Sequence, residues 1–147
     1  MKTLNFVKIL LFSVIAVSLA SCGDDIYYTM QNSDNKLCGK VWMEQYWNEN
    51  GELCEYMLKF EKIKKNNREV LSGKEKTITY KKGGIATLER HFTWEWMDSS
   101  MEGLILYFGP DEVSYFENVW VREHYLSGKL DGIVAVSYTH LTLPTKL

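Results

Sequence analysis

In this 147-residue chain, His91, Thr93 and Glu95 form the row best suited to proton chemistry. Strict alternation puts an imidazole, a hydroxyl and a carboxylate on one face of a strand. An imidazole steered by a carboxylate can act as a general base, but no nucleophile accompanies the row. Its opposite face carries Phe92, Trp94 and Trp96, so the polar row reads as the wet side of a half-buried strand. Glu117, Glu123 and His124 supply a second carboxylate and imidazole group, whose separation the sequence does not fix. There is no G-x-S-x-G, H-E-x-x-H, phosphate-binding glycine loop or dinucleotide fingerprint. No catalytic residue, cofactor or metal site is therefore assigned, and the chain is expected to be noncatalytic.

Tryptophan offers a different chemistry. Trp42, Trp94, Trp96 and Trp120, with Trp47, would either stack on the rings of a glycan or other ligand or fill the core. The alternation around Trp94 and Trp96 favours the core.

The elements that must position these residues emerge once the two ends are set aside. The formal net charge is −2, but 14 Lys and Arg against 19 Asp and Glu leave −5 between Cys22 and Val134. Nine Lys and Arg lie between Lys59 and Lys82. Such a run would suit anionic glycans or lipopolysaccharide phosphate, or would simply be a solvated hairpin whose lysines discourage edge-to-edge pairing. Nucleic acid is disfavoured as a partner by the overall negative charge.

At the amino terminus, Lys2 is followed by an apolar stretch from Ile9 to Ala20 and a small-residue exit. This is the pattern of a secretory signal, too short for a spanning helix of about 20 residues. The exit Leu19-Ala20-Ser21-Cys22 resembles the bacterial lipobox. That resemblance implies removal of residues 1–21 and acylation of Cys22 with chains such as palmitate, giving a durable anchor in the outer membrane. The following Gly23-Asp24-Asp25 is similar to the acidic stretch after the lipidated cysteine in Bacteroidota lipoproteins, which implies surface display; a periplasm-facing anchor is the alternative. The polar run Gln31 to Lys36 completes an expected flexible tether over residues 22–36.

At the other end, Val136 to Thr145 (Val-Ser-Tyr-Thr-His-Leu-Thr-Leu-Pro-Thr) resembles the translation of a transposase sequencing adapter. The resemblance implies that residues 135–147 are an adapter-derived tail and that the native chain is known through Val134. Read as protein, Val-Ser-Tyr-Thr would suggest a strand.

With Cys22 acylated, Cys38 and Cys54 remain, and an even pair in an exported protein invites a disulfide. A tight hairpin centred on Glu49 and Asn50 would set Cys54 opposite Gln45, seven residues or roughly 23 Å from Cys38 at strand rise. The bond therefore requires Cys38 to fold back from outside the strand. Their spacing, without nearby histidine, gives no metal site.

Residues 37–134 read as one all-β domain. Val41 to Trp47, the turn Asn48-Glu49-Asn50-Gly51, and alternation through Cys54, Tyr56, Leu58 and Phe60 make an opening hairpin. Ile78 and Tyr80 mark a short strand before Lys81-Lys82-Gly83-Gly84. Leu104 to Phe108 suggests a strand buried on both faces, and Val113 to Tyr125 holds one or two more. Ser127-Gly128-Lys129 is expected to turn the chain into Leu130 to Val134. Seven or eight short antiparallel strands predict a meander closed as a barrel or packed as a sandwich.

The start Leu37-Cys38-Gly39-Lys40-Val41-Trp42 and this strand succession resemble small bacterial lipocalin-like lipoproteins, with two residues between Gly39 and Trp42 where that family has one. The resemblance implies an eight-stranded barrel with an apolar interior and a role as carrier of a small apolar ligand. The wider expectation is a lipid-anchored envelope protein with a binding or structural role, partnered by the membrane through Cys22 and by an envelope protein, a glycan or a small apolar ligand. A membrane-tethered inhibitor or immunity protein is the other reading.

Overall fold

Eight antiparallel strands succeed one another in chain order around a closed barrel. The computed structural model describes residues 30–139; Cys22, its flanking signal and the segment from His140 onward lie outside the described residues. The strands are β1 (Val41–Trp47), β2 (Leu53–Lys65), β3 (Arg68–Lys81), β4 (Gly84–Trp96), β5 (Leu104–Tyr107), β6 (Val113–Val121), β7 (Tyr125–Leu130) and β8 (Ile133–Tyr138), preceded by one helical turn, α1 (Asp34–Leu37). The fold is thus the all-β antiparallel meander expected. It closes as a barrel rather than a sandwich, and is consistent with a small lipocalin-like barrel.

Two-residue turns with left-handed backbone join β2 to β3 and β7 to β8. Asn66 and Asn67 have φ of 51° and 60°, and Asp131 and Gly132 have 49° and 83°. Such turns match the twist of antiparallel pairs, and Asn, Asp and Gly tolerate that conformation. The lysine-rich stretch is the β2–β3 hairpin itself, fourteen residues long in β3 where only a short strand around Ile78 was expected. Three of its cations are paired: Lys59 with Glu61 at 2.7 Å, Lys62 with Asp34 at 2.9 Å and Lys74 with Glu89 at 3.5 Å.

Three further expectations are corrected. The β1–β2 loop is centred on Asn50, whose neighbour Asn48 accepts through its side chain from the backbone of Asn50 and Glu52, so Cys54 lies opposite Tyr46 and not Gln45. β5 is buried on one face only, through Leu104 and Leu106. Ser127 to Lys129 is not a turn but the middle of β7. Gly128 is there because the ring of Phe116 covers it: a Cβ would lie 2.6 Å from that ring.

One end of the barrel is packed solid. Trp42, Leu58, Phe60, Phe92, Trp94, Leu104, Leu106, Phe116, Val119, Val121 and Leu126 converge there with Leu37 of α1. Edge-to-face contacts link Phe60 to Phe92 at 5.4 Å and to Trp94 at 5.7 Å, a geometry aromatic quadrupoles favour. Gly73 makes room for the Phe92 ring, which a Cβ would meet at 2.3 Å.

Polar groups fasten α1 across this end. The Trp42 indole donates to the Leu37 carbonyl at 3.0 Å, and the Trp96 indole to Asp34 at 2.7 Å. The Asn32 amide donates to the carbonyls of Met101 and Val119 and accepts from the backbone N–H of Val121. The compact unit holding the barrel accordingly begins at Asn32 rather than Leu37. At its other boundary β8 runs through Tyr138, beyond Val134, with Ser137 buried. Closure between β1 and β8 is registered at one pair, Met43 with Tyr138.

Candidate binding site at the open end

Unequal strand lengths shape the end opposite α1. β4 pairs with β5 only from Thr93 to Trp96, whereas its residues from Gly84 to Phe92 pair with β3 alone. The β1–β4 sheet therefore stands as a wall higher than β5, and above β5 the inward residues Ala86 and Leu88 of β4 are exposed, as is Tyr46 on β1, while Cys54 on β2 stays buried.

Register reads out that face row by row. Next to the packed floor, Trp42, Leu58, Glu75 and Arg90 are neighbours across four strands; above them come Glu44, Tyr56, Thr77 and Leu88, and then Tyr46, Cys54, Thr79 and Ala86. Leu88 points to the same side as buried Phe92 yet is 61% exposed, because no strand lies across from it.

A polar cluster separates floor from mouth. The Tyr56 hydroxyl donates to Glu75 Oε1 at 2.7 Å, and Arg90 Nε and Nη2 both reach Glu75 Oε2 at 2.7 Å. Arg90 Nη1 also pairs with Glu112 on the rim, and its guanidinium stacks 4.1 Å above the Phe108 ring. Burial, then the bond to Glu75, raises the Tyr56 hydroxyl well above the usual range, so it stays a proton donor. Glu44 is different. It is half-buried and, among the described residues, its carboxylate makes no hydrogen bond or ion pair; burial raises its carboxyl above the ordinary value.

Where β4 parts from β5 a side cleft of about 520 Å³ opens beside this cluster. Its base is Gly73 with the rings of Phe92 and Phe108, 5.4 Å apart. Its rim includes Lys74, His91, Thr93 and Tyr107. It therefore offers apolar rings below and hydrogen-bonding groups above, as ligand pockets do.

The residues singled out by sequence fall in different places. Trp42 and Trp94 are buried in the floor, and Trp96 is held by Asp34, so they form no exposed platform. Trp120 lies on the outer wall, 49% exposed, with Arg122 stacked at 4.6 Å. The cause is a β-bulge: Asn118 has φ of 51°, the register shifts between Glu117 and Trp120, and Val119 and Val121 take the inward side.

His91, Thr93 and Glu95 lie on the exposed face. The imidazole nevertheless approaches Glu89 at 3.7 Å, and Glu95 accepts from the Tyr107 hydroxyl at 2.6 Å, so the three do not assemble as a catalytic group. Glu123 and His124 are adjacent on the β6–β7 loop, and Glu117 on β6 does not join them. Among the described residues no three His, Cys, Asp or Glu gather as metal ligands.

The Cys38–Cys54 disulfide is not formed; both thiols are free. Gly39 N–H donates to the Phe60 carbonyl, which places Cys38 beside the far part of β2, on the order of 20 Å from Cys54 at strand rise. That far exceeds disulfide reach. Burial, with the nearby Asp34 carboxylate, pushes the Cys38 thiol up to about 11, which makes it a poor nucleophile at neutral pH.

Sequence reasoning missed Glu44, Tyr56, Glu75 and Arg90. The available signal was a charge on an apolar face: Glu44 shares the side of Trp42, and Arg90 that of Phe92 and Trp94. Compared with known protein families, curated proteins and solved structures, the chain matches none of them.

Proposed function

We propose that this is a lipid-anchored cell-envelope protein, tethered to the outer membrane through Cys22, whose barrel is a noncatalytic binding module taking a small amphipathic ligand at its open end. The observation that carries the binding role is the inward side of the sheet beyond the end of β5, where exposed Leu88 and Tyr46 and the half-buried Tyr56 ring stand over a charged row. A polar-floored mouth accepts a ligand with both an apolar body and a polar group, in place of the wholly apolar cargo that the lipocalin resemblance implies. The Leu19-Ala20-Ser21-Cys22 motif supports the anchor.

Two measurements test this reading. Mass spectrometry of the mature protein from its host should find Cys22 acylated and amino-terminal; an unmodified thiol would remove the tether. Native mass spectrometry of the full chain, equilibrated with an envelope small-molecule extract, should retain a ligand that Leu88→Arg loses. Equal retention by both proteins would remove the mouth as the binding site.

A second reading, as a tethered inhibitor or immunity protein, has its own support. Trp47, Leu53, Tyr80 and Ile85 occupy one outward register row across four strands, with Trp47 65% and Ile85 66% exposed. Crosslinking from position 47 to one stoichiometric protein partner would favour it.

A further inference from the structure

The balance of charge at the open end narrows the ligand class. Three carboxylates and one guanidinium meet there: Glu44 and Glu75 on the inner rows, Glu112 on the rim, and Arg90 between the last two. Arg90 is consumed, since its Nε, Nη1 and Nη2 all contact carboxylate oxygens and one face of its plane is covered by Phe108. An anionic ligand would find no available cation on these rows. Glu75 is likewise satisfied, by Tyr56 and Arg90.

Glu44 is the charge left over. It sits directly opposite Tyr56 on β2 and two residues from Tyr46, on the same inner side, so an aromatic ring flanks it across the sheet and another along the strand. Carboxylate and tyrosine faces both attract an ammonium group, the first by charge and the second by the ring quadrupole. Thr77 and Leu88 continue the Glu44–Tyr56 row, giving a hydroxyl and an apolar surface for whatever bears the ammonium. A half-buried carboxylate with no partner among the described residues has lost part of its hydration, and a cation would restore what burial removed.

We propose that the open end of the barrel holds an organic ammonium group on a small apolar body, with Glu44 as its counter-ion and the rings of Tyr46 and Tyr56 as its walls. This rests on the reading of the mouth as a binding site and specifies what enters it.

Choline and 3,3-dimethylbutanol test the idea directly, since they share a shape and differ in whether the quaternary centre is a charged nitrogen or a neutral carbon. The full-length chain, labelled at tyrosine ring carbons and held in a maltoside detergent at about pH 8 to ionise the carboxylate, is titrated with each by NMR. Choline should shift the Tyr46 and Tyr56 rings saturably, and the alcohol should bind at least about tenfold more weakly. Glu44→Gln, nearly isosteric, should weaken choline by about tenfold and leave the alcohol unchanged; Tyr46→Leu should weaken choline by a smaller factor with the fold intact.

Equal affinity for the two probes, or choline binding indifferent to Glu44→Gln, would overturn the ammonium assignment while leaving the mouth as a binding site. Silence of both tyrosine rings towards both probes would overturn the assignment and also count against the mouth.

Discussion

The two ends of this barrel are built from the same strands and obey opposite rules. At the α1 end every inward position of β2 and β4 meets a partner across the barrel, so Phe60, Phe92 and Trp94 are almost wholly buried. A few residues further along β4, Leu88 keeps the inward direction and loses the burial, because β5 has ended, whereas Cys54 on β2 stays buried. Strand length, more than residue type, decides where this chain is stable and where it presents surface. Polar groups divide in the same way: Asn32 and Asp34 are spent on holding the floor together, whereas the Glu44 carboxylate has no partner among the described residues.

That contrast can be broken by substitution. Phe60→Ala, in the centre of the floor, should cost about 3 to 5 kcal/mol through lost transfer energy and a cavity between Phe92 and Trp94; urea denaturation would show it, and a cost below 1 kcal/mol would mean the floor is loosely packed. Asn32→Ala should cost about 2 to 3 kcal/mol, because it strands the Val119 carbonyl and the Val121 N–H inside. A negligible change would mean that water replaces the amide.

A pH comparison sharpens the other side. The folded protein holds the Glu44 carboxyl above its ordinary value, so between the unfolded and folded values the native state binds more protons and stability falls as pH rises. Glu44→Gln should match the parent in urea midpoint near about pH 4 and exceed it near about pH 8. A variant less stable than the parent at the higher pH would reveal a favourable partner for the carboxylate. Smallest of all, Leu88→Ser should change stability by no more than about 0.5 kcal/mol despite its inward direction; a larger loss would mean the mouth is closed in solution.

Much of the floor could be read from sequence, since alternation alone put Phe92 and Trp94 opposite the exposed His91 and Thr93 row. Features that depend on more than one strand could not. Trp120 has the parity of Phe116 along the chain, and only the extra residue at the Asn118 bulge turns it outward. Asn32 looked like tether because it is polar, but its amide satisfies backbone groups from two distant segments, Met101 and Val119 to Val121. The Tyr56–Glu75–Arg90 cluster joins three strands whose mutual register is set by turns. A one-residue change of register, such as Cys54 opposite Gln45 in place of Tyr46, would put those side chains on opposite faces of the sheet.

Residue-resolved amide hydrogen exchange on the unliganded protein puts the division between the two ends to the most direct test. Amides of Leu58, Phe60, Phe92 and Trp94 should exchange only through global unfolding, while those of Ile85 to Leu88 at the uncovered end of β4 should exchange through a smaller local opening. Protection at Ile85 to Leu88 equal to that at Phe92 and Trp94 would contradict it.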